Sequence, residues 1–129
     1  MKFGYAIIYV PEVVKTIEFY EKAFGLKRKF VHESKTYAEL DTGNTTLAFA
    51  YLEASEADEL GIRANLKTDS TSGFDVCFLS DDVSAAFHFA VESGATAVSS
   101  PTLKPWGQTV AFLRDLNGCL VEIASPISS

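Results

Sequence analysis

The sequence predicts an α+β chain in which one βαβββ plan is written twice. Three observations carry this reading. An apolar strand, an acidic turn and an amphipathic helix ending at glycine occur at Tyr5–Gly25 and recur about seventy residues later at Asp75–Gly94. Both copies close on a turn rich in Asp, Asn and Gly: Asp41-Thr42-Gly43-Asn44 before Leu47-Ala48-Phe49, and Asp115-Leu116-Asn117-Gly118 before Val121-Glu122-Ile123. At 129 residues with 47% hydrophobic content, the chain has room for one domain made of two packed halves.

The elements follow in order. Residues 3–10 read as a largely buried strand. Val13, Ile17, Tyr20 and Phe24 then fall at i, i+4, i+7 and i+11, which predicts a helix over Val13–Phe24 with Gly25 as its C-terminal stop. Strands are expected at 27–33, 36–41 and 45–52, the last two joined by the Asp41–Asn44 hairpin turn. The stretch 53–73 turns acidic and then rich in Ser, Thr and Asp. A short helix over Ala54–Leu60 followed by linker is expected, the linker being either mobile or functional. The second half begins with a strand at 74–80. Asp81-Asp82 favour the start of a helix carrying Val83, Phe87, Ala90 and Val91 on one stripe. Strands at 96–100, 108–114 and 119–124 complete it, with Ser100–Gly107 as a loop holding two prolines. The organisation is thus a module at 1–52, a linker at 53–73 and a module at 74–126. Two sheets that each bury one face invite a ligand cleft between them.

Composition narrows the function. The net charge of −6 and pI near 4.8 argue against nucleic acid, and Lys27-Arg28-Lys29 is the one basic run. No apolar run approaches the roughly 20 residues that span a bilayer, and no signal-peptide core follows Met1, so a cytoplasmic protein is expected. Cys77 and Cys119 each sit in an apolar strand and read as small buried hydrophobes; strand alternation points them to opposite faces, against a disulfide. His88 lies off its helix's apolar stripe and is expected exposed. His32 is placed in a strand one pleat from Phe30, either solvated or a base on the ligand face.

Two segments carry a family resemblance. Ile17-Glu18-Phe19-Tyr20-Glu21-Lys22-Ala23-Phe24-Gly25-Leu26 and Phe112-Leu113-Arg114-Asp115-Leu116-Asn117-Gly118-Cys119-Leu120-Val121-Glu122-Ile123 resemble the helix signature and closing hairpin of the vicinal oxygen chelate superfamily. That group includes glyoxalase I, extradiol dioxygenases and the bleomycin-resistance proteins; Leu116 stands where its pattern has proline. The resemblance implies an incomplete eight-stranded barrel with a concave ligand cleft, and a homodimer. It also implies four metal-ligand positions, matched here by Tyr5, Ala48, Asp75 and Glu122. Alanine cannot coordinate, and two carboxylates without imidazole suit Zn or Fe poorly. No cofactor is therefore expected; the alternative is a divalent metal at Asp75 and Glu122.

The expected function is binding of a small, planar or antibiotic-like molecule in an aromatic cup without a catalytic metal. The alternative is an atypical glyoxalase-, epimerase- or dioxygenase-type enzyme. Tyr5, Asp75, Trp106, Gln108, Phe112 and Arg114 are the candidate ligand contacts, and Glu122 the candidate catalytic group. Two desolvated carboxylates repel, so one of Asp75 and Glu122 should hold a proton near neutral pH. Alternation puts Arg114 on the Glu122 face, where it reaches Glu122 or an anion, or else pairs with Asp115 or solvent. Trp106 is either a stacking wall or a hydrophobic plug.

Overall fold

A computed structural model describes residues 1–127. The chain forms two compact units, the first running Met1–Leu66 and the second beginning at Lys67, so the division falls inside the stretch 53–73. Each unit has the βαβββ plan, and the eight strands make two separate four-stranded sheets.

In the first unit β1 (Tyr5–Tyr9) leads to α1 (Val13–Phe24), then β2 (Lys27–Val31), β3 (Tyr37–Asp41) and β4 (Thr46–Ala50), in spatial order β1-β4-β3-β2. β1 runs parallel to β4, and the other pairs are antiparallel. Helix α1 packs on β2, β3 and β4. Its stripe buries Val13, Ile17 and Tyr20, joined by Thr16, Phe19 and Ala23, and the Tyr20 ring meets Phe49 of β4 at 4.8 Å between centroids. The helix stops at Gly25, whose φ of +66° is left-handed and favours glycine. The strand expected to hold His32 ends at Val31; His32 lies exposed in the following turn, its Nδ1 2.8 Å from Ser34 Oγ. A short α2 (Ala54–Leu60) follows β4, and Asn65 ties the chain back by donating to the Tyr9 carbonyl from its amide (3.2 Å) and from Nδ2 (3.1 Å).

The second unit repeats the plan as β5 (Val76–Leu79), α3 (Val83–Glu92), β6 (Thr96–Leu103), β7 (Thr109–Arg114) and β8 (Leu120–Ala124), in order β5-β8-β7-β6. Asp82 caps α3, its carboxylate accepting from the Ala85 amide at 3.0 Å. Val83, Phe87 and Ala90 are buried and His88 is exposed. The loop expected from Ser100 onward is shorter than the prolines suggest, because β6 continues to Leu103. It is an edge strand whose register shifts between Ser99 and Thr102, so Pro101, lacking an N–H, interrupts no inner ladder.

The closing hairpin is held by Asp115, which is 1% exposed. Its carboxylate accepts from the amides of Asn117 (2.8 Å) and Cys119 (2.9 Å). Asp115→Ala leaves two donors without an acceptor, and we predict a loss of about 2 to 4 kcal/mol of unfolding free energy in urea denaturation.

Candidate functional site

Each sheet has a helix face and an open face, and alternation assigns the side chains. In the second unit Ala111, Leu113, Val121 and Ile123 are buried on the side where α3 packs on β6, β7 and β8. The opposite face carries Cys77, Glu122 and Phe112. Cys77 sits across from Glu122 in the parallel β5–β8 pair, and Phe112 across from Glu122 in the antiparallel β7–β8 pair. Asp75 precedes β5, two residues from Cys77 and so on the same side.

The carboxyl of Glu122 retains its proton to higher pH than an ordinary glutamate. Burial is the main cause, followed by the hydrogen bond and negative charge of Asp75; Cys77 and Lys104 act in the opposite direction. Glu122 is thus the acid of the pair that holds its proton more tightly, the direction that desolvation and a neighbouring carboxylate give. Cys77 is exposed rather than buried, because β5 is an edge strand and the residue points away from α3. Its thiol is nevertheless pushed up to about 11, first by burial of the sulfur's surroundings and then by Glu122 and Asp75, which leaves it a poor nucleophile. Burial and Asp115 push Cys119 up to about 12.

The remaining candidates take different roles. Arg114, the cation that alternation places beside Glu122, instead donates from Nε to the Gly118 carbonyl (2.8 Å) and from Nη2 to the Asp69 carbonyl. It fastens the stretch after Lys67 to the closing hairpin. The cation that biases Glu122 is Lys104, from the β6–β7 turn, which the sequence reading did not single out. Gln108 bridges, accepting from Trp106 Nε1 (2.8 Å) and donating to the Ser125 carbonyl (2.8 Å). With its N–H satisfied, Trp106 presents a ring that is 60% exposed, which favours a stacking surface over a plug.

The first unit's open face holds Tyr5 and Ile7 of β1, Ala48 of β4, and Tyr37 and Glu39 of β3. Tyr5 is 58% exposed, and Ala48 is fully buried and offers no donor. Glu39 is a buried carboxylate that the sequence reading overlooked.

These residues do not fit a divalent metal. Among the described residues no three His, Cys, Asp or Glu side chains converge to hold an ion. The Cys77 thiol and the Glu122 carboxyl each hold their proton more tightly than usual, and a ligand set must release such protons.

Two consequences are measurable. In a carbon-13 NMR titration Glu122 should titrate above the usual glutamate range, and Asp75→Asn should lower it without restoring the ordinary value, since burial persists. A carboxyl that holds its proton more tightly when folded stabilises the fold at acidic pH, and that increment fades as pH rises through the raised value. Glu122→Gln, permanently neutral, should flatten this part of the stability profile.

Comparison with known proteins completes the picture. Residues 2–123 match the Glyoxalase/Bleomycin resistance protein/Dioxygenase superfamily. The chain is 27% identical over 115 residues to the uncharacterized protein YraH of Bacillus subtilis (strain 168), spanning 88% of this chain and 90% of that one. Its fold is similar to a glyoxalase/bleomycin resistance protein/dioxygenase family enzyme from Burkholderia phytofirmans PsJN, with TM-score 0.80, 25% identity, and coverage of 97% and 98% of the two chains. It is also similar in fold to TioX from Micromonospora sp. ML1, with TM-score 0.71, 20% identity, and coverage of 97% and 98%. The chain belongs to the Glyoxalase/Bleomycin resistance protein/Dioxygenase superfamily.

Proposed function

We propose that the chain is a metal-independent small-molecule binding protein, of the resistance-protein rather than the enzyme type, and that the open face of its second unit contacts the ligand. The observation that carries this reading is the Asp75–Glu122 pair. The Glu122 carboxyl holds its proton more tightly than an ordinary glutamate, and its hydrogen bond to Asp75 leaves lone pairs on the two acids that accept from a ligand N–H or O–H. Phe112 beside Glu122 and the exposed Trp106 ring supply apolar planes, a combination suited to a planar, antibiotic-like molecule.

The enzyme reading draws on the same pair, since a carboxyl tuned toward neutrality suits proton transfer next to a carbonyl. It is the weaker of the two, because Lys104 is the one cation acting on Glu122 and the donor set does not fit a metal to stabilise an enolate.

A homodimer is part of the proposal. Val98 (55% exposed) and Leu103 (70%) leave apolar surface along the edge strand β6, away from the Glu122 row, and a second copy would cover it. No helix among the described residues is long and apolar enough to cross a membrane, and two free cysteines accord with the reducing cytoplasm, where we place the protein.

Trp106 is the chain's one tryptophan and, from the turn that opens β7, serves as the reporter of binding to that sheet. Titration with a panel of planar heteroaromatic antibiotics should give saturable quenching for at least one compound, weakened about tenfold or more by Glu122→Ala. Unchanged emission across the panel would contradict the binding reading. Light scattering after size-exclusion chromatography should give twice the chain mass, and a monomer at micromolar concentration would contradict the dimer.

A further inference from the structure

We propose a second recognition site, for a small organic ammonium ion, at Glu39 on the open face of the first unit. It uses no residue of the Glu122 face and does not depend on the reading given for that face. Glu39 is 7% exposed and lies in the middle of β3. Burying a carboxylate is costly unless hydrogen-bond donors surround it. Here one oxygen, Oε2, accepts from the Tyr37 hydroxyl at 2.7 Å. The other, Oε1, has the Lys29 ammonium at 3.9 Å, beyond hydrogen-bond distance. Lys29 is itself largely exposed, and such an ion pair contributes little, so an incoming cation displaces it easily.

The surroundings are aromatic. Phe30 pairs with Glu39 across the β2–β3 ladder, and the Phe30 and Tyr37 rings stand 5.9 Å apart, tilted by 45°. The Tyr37 hydroxyl is held in its protonated form by burial, by its bond to Glu39 and by that residue's charge, with a smaller contribution from Tyr5. Tyr5 is therefore close to Tyr37, and the titratable groups seen at the Glu39 carboxylate are Tyr37 and Lys29. A carboxylate oxygen with spare acceptor capacity beside electron-rich ring faces is the chemistry that selects ammonium: the N–H donates to Oε1 while the charge rests against the rings. A neutral alcohol of the same shape makes the hydrogen bond without the charge.

The test uses the full chain at low ionic strength, with benzylammonium and its neutral counterpart benzyl alcohol as probes, followed by ¹H–¹⁵N NMR. Benzylammonium should bind saturably, shifting the amides of Phe30, Tyr37 and Glu39, with benzyl alcohol at least about tenfold weaker. Glu39→Gln should weaken the ammonium by about tenfold or more. Lys29→Ala, at an exposed position that leaves folding intact, should strengthen it severalfold by removing the resident cation. Equal affinity for the two probes, absence of shifts in β2 and β3, or unchanged affinity in either variant would overturn the proposal. Because the β2–β3 amides and Trp106 emission report on different units, failure here is distinguishable from failure of the reading at Glu122.

Discussion

A single helix can cover only one face of a four-stranded sheet, and this constraint organises everything else in the chain. α1 and α3 each bury one face of their unit's sheet against residues such as Phe49 and Tyr20, or Leu113 and Phe87. The inner strands β3, β4, β7 and β8 alternate without a break along their shared ladders, so every second side chain there is committed to the opposite face. That face cannot be purely apolar without becoming an aggregation surface, and it cannot be freely charged where its groups lose water. In both units the outcome is aromatic rings around partly or wholly desolvated acids.

The two faces solve the problem of a desolvated acid differently. In the second unit Asp75 meets Glu122, and burial and that neighbour make the Glu122 carboxyl hold its proton more tightly, with Lys104 acting the other way. In the first unit Glu39 has a phenol on one oxygen and a distant, solvated lysine near the other. In the first arrangement one acid leans on another, and in the second a carboxylate oxygen keeps spare acceptor capacity. Neither resembles a chelating cage, in which ligands must be deprotonated and converge on one point. Family membership lies in the scaffold, while the matched positions hold Tyr5, Ala48, Asp75 and Glu122.

Much of the fold was legible because its signals are local. The 3.6-residue stripe of Val13, Ile17 and Tyr20, the left-handed stop at Gly25 and the acidic start of α3 at Asp82 each depend on a few neighbouring residues. The site was only partly legible because its geometry is set by strand register and edge position. Alternation correctly put Glu122 and Phe112 on one face. It could not show that Arg114 turns to the carbonyls of Gly118 and Asp69, nor that Lys104 acts on Glu122 from the β6–β7 turn. Cys77 looked buried because β5 is apolar, yet an edge strand exposes one row of its side chains. Glu39 had a visible signal: a single acid between Ala38 and Leu40, in phase with Tyr37. Pro101 misled in the other direction, since an edge strand tolerates a residue without an N–H.

We propose that Asp75 and Glu122 meet the ligand without an ion between them. Native mass spectrometry of protein purified without chelator, then offered Mn²⁺, Ni²⁺, Zn²⁺ and Fe²⁺ in turn, tests this most directly. The account predicts the metal-free mass throughout, with no ion retained in stoichiometric amount. Retention of one ion per chain, lost on Glu122→Gln, would contradict it.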